Sequence, residues 1–268
     1  MPITYRTYEF PDCKSLVVCG DIHGEFDLLV KKICEQYQLK DTLVIVAGDC
    51  GFGFEKQKYY KNIVREHRER MYKANNRIVF VRGNHDNPLY FDGKTFAYKR
   101  FIAVPDYSII KAKGHTILCI GGAISADRSL RKAAWDNHKQ IFKALGHPEE
   151  VYNPFVPKYY WQDEPPVFKE ELMTKILGKY SIDTIVSHSA PSFCELQNKI
   201  GLASWAEEDA ELLSDVQQER STMDAIYTKL KGQPITHWCY GHFHQSWHSS
   251  IEGTLFKMLD IMELYEIR

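Results

Sequence analysis

Residues 15–24, SLVVCGDIHG, residues 42–51, TLVIVAGDCG, and residues 77–86, RIVFVRGNHD, follow one plan. Each is an apolar run that stops at a glycine and is followed at once by acid, amide or imidazole side chains, which predicts three strands that end alike. Between the first two lies EFDLLVKKICEQYQ (25–38), where Phe26, Leu29, Val30 and Ile33 recur at helical spacing. Between the next two lies KQKYYKNIVREHRERMYKAN (56–75), with Tyr60, Val64, His67 and Met71 on one stripe. The order β-α-β-α-β predicts a parallel sheet, and ligands of such sheets gather beyond the carboxyl ends of the strands, where all three polar clusters fall.

Further along, HTILCIGGAIS (115–125), DTIVSHSAP (183–191), PITHWCYGHFH (234–244) and TLFKMLDIMELYEI (254–267) also read as strands. The second and third of these end at His188 and at the pair His242 and His244, bringing the polar tips to five. Two stretches interrupt the alternation: about 126–170, rich in Tyr, Trp, Pro and charge, and about 192–232, helical in ELLSDVQQERSTMDAIYTKL. Neither has a clear linker, so residues 1–268 are expected to form a single domain with two cap-like excursions.

Composition agrees with a globular chain: 268 residues, 44% of them hydrophobic and 26% charged, are enough for a full core. A net charge of -1 gives no global field toward nucleic acid or an anionic membrane. There is no amino-terminal apolar region of signal-peptide type and no apolar run of about 18 residues, so the expected location is the cytoplasm, with no membrane partner. The seven cysteines, Cys13, Cys19, Cys34, Cys50, Cys119, Cys194 and Cys239, are never spaced CxxC and sit mostly in apolar runs. They are expected to be reduced, buried thiols.

The tips carry the chemistry. Asp21, His23, Asp49, Asn84, His188, His242 and His244 offer carboxylate oxygen, amide oxygen and imidazole nitrogen, a donor set suited to manganese, iron or zinc. Seven donors exceed the needs of one ion. Two four-coordinate sites need eight donations, which seven residues supply if one carboxylate bridges; Asp49, on the middle motif, is the natural bridge. Glycines at 20 and 24 are expected to permit the turn that aims Asp21 and His23 at one ion.

The ordered motifs GDIHG, GD, GNHD, SHSAP and GHFH, from Gly20 to His244, resemble the signature of the calcineurin-like metallophosphoesterase superfamily. The resemblance implies an α/β fold, a four-layer α/β/β/α sandwich of metallophosphoesterase type with a cap-like insertion. It gives Asp21, His23, Asp49 and His244 to one divalent ion and Asp49, Asn84, His188 and His242 to the other. Mn2+ is expected first, with Fe, Zn or Ni as substitutes. His85 stays unligated beside the leaving-group oxygen, and Asp86 orients and charges it. Two cations that draw electron density from phosphorus and lower the pKa of a bridging water, with an imidazolium at the departing oxygen, make a complete hydrolytic apparatus.

Departures from the superfamily narrow the substrate. Serine/threonine protein phosphatases carry an arginine in a GDxVDRG stretch, and GDCGFGFEK (48–56) has none. GGAISADRSLRK (121–132) offers Arg128 or Arg131 as a phosphate clamp instead, or else a helix cap at Ser125 or Asp127 with solvated basic residues. With YWQDEPP (160–166), this stretch is also similar to a group of bacterial and phage metallophosphoesterases of poorly defined substrate. Tyr159, Tyr160 and Trp161 either stack on a base or pin the excursion to the body. Lys58, Lys61, Arg65 and Arg68 read as a solvated helix face more than as a nucleic-acid track. The expected function is a dinuclear metal-dependent phosphoester hydrolase acting on a small phosphomonoester or nucleotide phosphodiester. A nuclease acting on DNA or RNA ends is the alternative, ahead of a catalytically silent scaffold. Oligomeric state stays open.

Overall fold

The computed structural model describes residues 5–194 and 200–268. One sheet is made by β2 (Ser15–Cys19), β3 (Thr42–Val46), β4 (Arg77–Phe80), β5 (Phe101–Ala103) and β12 (Leu264–Ile267), in the order β12-β2-β3-β4-β5. The first four are parallel neighbours, and β12 lies antiparallel to β2. The crossovers are α1 (Phe26–Lys31), which runs on into a π-helical turn at Lys32–Gln36, and α2 (Gln57–Lys73). The second sheet is made by β1 (Thr7–Phe10), β6 (Ile109–Ala112), β7 (His115–Ile120), β8 (Thr184–Ser187), β9 (His237–Tyr240), β10 (Trp247–Ile251) and β11 (Thr254–Met258), in the order β1-β6-β7-β8-β9-β11-β10. Its centre, β7-β8-β9-β11, is parallel.

Alternation along the strands assigns the layers. Leu43 and Ile45 of β3 join Ile117 and Cys119 of β7 in the core between the sheets. Val44 and Val46 face the other way, onto Phe26, Leu29, Tyr60, Ile63 and Met71 of α1 and α2. Leu118 and Ile120 of β7 meet α4 (Glu170–Leu177) and α6 (Leu212–Leu230) through Leu172, Ile176, Met223 and Ile226. Both faces of each sheet are therefore covered, which is why the strands read as continuous apolar runs, and the order is α/β/β/α as expected. Each fully buried Leu, Ile or Phe contributes about 1.5–3 kcal/mol.

Several elements differ from the sequence reading, which does not anticipate the short strands β1, β5, β6 and β10. The run 254–267 is two strands, not one: the chain leaves the second sheet after Met258 and enters the first at Leu264. The crossing is fixed where Gly20 N donates to Glu263 O at 3.0 Å and Met262 N donates to Asp21 O at 2.9 Å. A methyl group at Gly20 would lie 2.1 Å from the Asp260 carbonyl oxygen, so glycine is needed there for close approach, whereas Gly24 has φ +88° and serves the turn.

Of the two excursions, the first rises as α3 (Arg128–Ala144), in which only Arg128 is buried, and returns through a limb that buries Val156, Trp161 and Glu164. Trp161 pins that limb, its ring packed where a side chain on Gly53 would be. The second holds α5 (Ile200–Ala206) and α6; residues 195–199 lie outside the described residues. Since α6 buries Met223, Ile226 and Leu230, it is a layer of the sandwich and not a cap. All seven cysteines are unpaired. Among the described residues no helix is long and apolar enough to cross a membrane.

The crossing at Gly20 yields a measurable expectation. Gly20→Ala forces a methyl group against backbone that cannot rotate away, and it is expected to lower stability by about 1–3 kcal/mol in urea unfolding. A midpoint equal to wild type would show that the loop at Asp260 shifts freely.

Candidate metal centre

The carboxyl ends of β2, β3 and β4 in one sheet and of β8 and β9 in the other meet at one edge of the sandwich, and their first residues beyond the strands face one another. Four of them sit at positive φ without being glycine: His23 (44°), Asp49 (43°), His242 (70°) and His244 (50°). Such strain persists only where the surroundings over-determine it, and it clusters at functional sites. The motif glycines explain part of that determination. A methyl group at Gly48 would lie 2.1 Å from His188 Nδ1, one at Gly83 would lie 2.0 Å from Asp49 N, and one at Gly241 would lie 2.1 Å from Asp21 Oδ1.

The side chains form two adjoining groups. In the first, ligand atoms of Asp21, His23, Asp49 and His244 all lie within 4.8 Å of one another. His244 Nε2 is 3.1 Å from Asp21 Oδ2 and 3.0 Å from His23 Nε2. In the second, His188 Nε2 and His242 Nδ1 lie 2.7 and 3.1 Å from Asn84 Oδ1. Asp49 joins them, its Oδ1 being 3.3 Å from His188 Nε2. His188 Nδ1 donates to the Ala47 carbonyl at 2.8 Å, which turns Nε2 toward the centre.

The charges show what this centre lacks. Burial opposes ionisation of Asp49, yet the imidazoles of His188 and His85 hold its carboxyl well below the usual range. Burial likewise opposes a charge on His188, but Asp49 and Asp21 override it and raise His188 to about 9. Burial and the neighbouring His188 charge push His242 well below the ordinary histidine value. The protein alone thus keeps a proton on His188 as the cation between two buried carboxylates. Oxygen and imidazole donors that converge around a demand for positive charge fit divalent metal binding.

His85 stands beside this centre, its Nε2 3.2 Å from Asn84 Nδ2 and 3.9 Å from Asp49 Oδ2. Its Nδ1 is buried without a partner, and burial, with Asp49 opposing, lowers its pKa. Asp86 does not orient it. The Asp86 carboxylate accepts four backbone N–H groups, from Gly83 (2.8 Å), Cys50 (3.0 Å), Gly51 (2.8 Å) and Phe52 (2.9 Å), and so holds the β3 and β4 loops together.

The two arginines divide. Arg128 is buried and engaged: Nε and Nη2 bond the Asp209 carboxylate at 2.6 and 3.1 Å and Nη1 bonds Asp215 at 2.6 Å, so it is a tie between α3 and the second excursion and not a phosphate clamp. Nor is it a solvated helix residue. Arg131 is only part-buried, held by Asp127 (2.7 and 2.8 Å), and near enough that its charge lowers the pKa of His85. Sequence reading missed Glu164, Ser189 and Glu219 around the centre, and took Ser125 only as a candidate helix cap. Ser125 Oγ takes the Asn84 Nδ2 hydrogen at 2.9 Å and donates to Glu164 Oε2 at 2.6 Å. Ser189, next to His188, donates to Glu219, which also accepts Ile124 N at 2.6 Å. The only signal was an acid in YWQDEPP and another in the amphipathic α6.

The family model described as calcineurin-like phosphoesterase matches residues 14–246, and the chain belongs to that family. Metal-dependent phosphoester hydrolysis is the chemistry of its class. The crystal structure of TT1561 of Thermus thermophilus is similar at TM-score 0.51 and 10% identity, covering 96% of this chain and 99% of that one, which shows a shared fold. The phosphopantetheinyl hydrolase PptH from Mycobacterium tuberculosis aligns at 12% identity and TM-score 0.39, over 92% of this chain and 90% of that one. No curated protein matches the sequence.

The proton on His188 sets the pH response of the metal-free protein. Its folded-state value, about 9, lies above the ordinary 6.5, so its contribution to stability is complete below about 6.5 and is lost as pH rises through 9. After chelation, unfolding free energy is expected to fall by on the order of 3 kcal/mol between those limits, and His188→Asn is expected to flatten the fall. Stability that is constant or rising over that range would refute the assignment.

Proposed function

We propose that the protein is a dinuclear metal-dependent hydrolase of small phosphomonoesters or nucleotide phosphodiesters. Asp21, His23, Asp49 and His244 would hold one ion and Asp49, Asn84, His188 and His242 the other. Mixed oxygen and nitrogen donors favour Mn2+, with Fe, Zn or Ni as substitutes. When bound, such ions act as Lewis acids toward the phosphoryl oxygens and lower the pKa of a shared water. The observation that carries the reading is the position of Asp49, whose carboxylate reaches both donor groups.

The protein's own groups supply the rest. Burial lowers the pKa of His85 against the pull of Asp49, and an anionic phosphoester beside it would favour its protonated form, in which Nε2, facing the Asn84 amide at 3.2 Å in the free protein, would donate to the leaving oxygen. Arg131, free of the double carboxylate clamp that engages Arg128, is the cation available to a substrate phosphate. Trp161 is buried against Gly53 and offers no face to a base. With a net charge of -1, that favours a small ester over a polynucleotide. Unpaired thiols suit the reducing cytoplasm.

A hydrolysis panel with Mn2+ tests the reading, comparing phosphomonoesters, cyclic and linear phosphodiesters and single-stranded DNA. The small esters are expected to turn over fastest, and Asp49→Asn is expected to abolish turnover of all of them. DNA degraded far faster than any small ester would make the protein a nuclease.

Adjacent residues should fail differently. Asn84→Ala is expected to weaken one ion and to recover in excess Mn2+. His85→Ala is expected to keep both ions and lose about 10²- to 10⁴-fold in rate with alkyl leaving groups, sparing nitrophenolate, which leaves without a proton. Metal loss in His85→Ala, or an equal loss across leaving groups, would reassign that histidine.

A further inference from the structure

We propose that Glu164, acting through Ser125, fixes the Asn84 amide so that its oxygen faces the second ion. The proposal rests on the two-ion reading above and assigns Glu164 and Ser125 as positioning residues.

Asn84 is buried with one end of its amide toward His188 and His242 and the other toward Ser125, at 2.9 Å, and more distantly His85 Nε2, at 3.2 Å. An amide is nearly symmetric in shape, so sterics alone do not decide which end carries oxygen, and only the oxygen end can ligate a cation. A serine hydroxyl does not decide either, because it donates or accepts with equal ease. Glu164 breaks the tie. Burial raises its pKa to about 7 while the two Ser125 bonds and the Arg128 charge oppose that rise; in the ionised form that they favour, its carboxylate accepts only, taking both the Ser125 hydroxyl hydrogen (2.6 Å) and the Ser125 N–H (3.0 Å). Ser125 Oγ is left with lone pairs alone, so the group it faces must be a donor: Asn84 Nδ2, at 2.9 Å. The oxygen is thereby turned to the histidines.

Glu164 is itself immobile. Its carbonyl accepts Ala123 N at 3.1 Å and Arg82 Nη1 at 2.9 Å, while Arg82 Nη2 bonds Asp106 at 2.9 Å. Asn84, Ser125 and Glu164 are all at most 2% exposed, so water does not stand in for any link of this chain. A buried carboxylate with no cation bonded to its oxygens is costly, and a glutamine of the same size would remove the cost. It would also put NH2 against Ser125 Oγ, freeing the hydroxyl hydrogen to seek the Asn84 oxygen. The acceptor-only character is what the position requires.

The test is Mn2+ titration, by calorimetry with elemental analysis, of the full chain, Ser125→Ala, Glu164→Gln and Ser125→Thr. Wild type is expected to bind two ions. Ser125→Ala and Glu164→Gln should keep one affinity unchanged and weaken the other by about 10- to 100-fold, and Ser125→Thr, which keeps the hydroxyl, should restore it. Ser125→Ala leaves the Arg82 and Glu164 contacts in place, so it decides the matter even if Glu164→Gln folds poorly. Two unchanged affinities in Ser125→Ala, or equal weakening of both ions, would overturn this inference alone. A single ion in wild type would overturn the two-ion reading and this inference with it.

Discussion

The centre depends on one steric condition: the glycines that open three of the motifs, Gly48, Gly83 and Gly241, each make room for a site residue of another motif. Gly48, beyond β3, leaves space for the His188 ring beyond β8, and Gly241, beyond β9, leaves space for the Asp21 carboxylate beyond β2. Both contacts cross from one sheet to the other. Facing sheets normally stand about 10 Å apart, filled by side chains, so backbone and ligand can touch across them only where those side chains are missing. The glycines therefore act less as hinges than as gaps. Through them the packing of the whole sandwich sets distances between donor atoms.

This explains what was legible in the sequence. The strands that end in polar tips could be read because burial on both faces writes a long apolar run, and a glycine before a charged residue marks its end. The seven expected donors are all brought to one edge. Strands such as β10, whose burial is partial, leave no such run, and the split of 254–267 depends on a crossing between sheets that no local period records. Roles that depend on partners remote in sequence were likewise hidden. Nothing near Arg128 announces Asp209 and Asp215, and the loop amides that engage Asp86 look from the sequence like ordinary glycine-rich turn.

The electrostatics follow from the same geometry. Two buried carboxylates, Asp21 and Asp49, stand among imidazoles that run from fully buried His188 to exposed His244. Such a group cannot be neutral in each part. Without a cation the field is met by protonating the most enclosed imidazole, His188, against its burial, while His242 behind it is pushed the other way. Burial lowers both, but at His188 the carboxylates of Asp49 and Asp21 overcome it, whereas at His242 the charged His188 ring adds to it.

The interruptions of the alternating pattern enter the site through two buried acids, Glu164 from the first and Glu219 from the second. They grip successive residues of one loop: Glu219 takes the N–H of Ile124 and Glu164 that of Ser125. A wall beside the metal donors is thus made rigid by segments outside the strand motifs. Fold and donor positions can persist while that wall changes, since the sandwich core does not pass through it. The likeness to TT1561, at 10% identity over nearly the full length of both chains, is one of architecture. Residues 126–170 bring Arg131 to this side of the centre, close enough for its charge to act on His85, and Arg131 in turn holds the limb at the Tyr159 carbonyl.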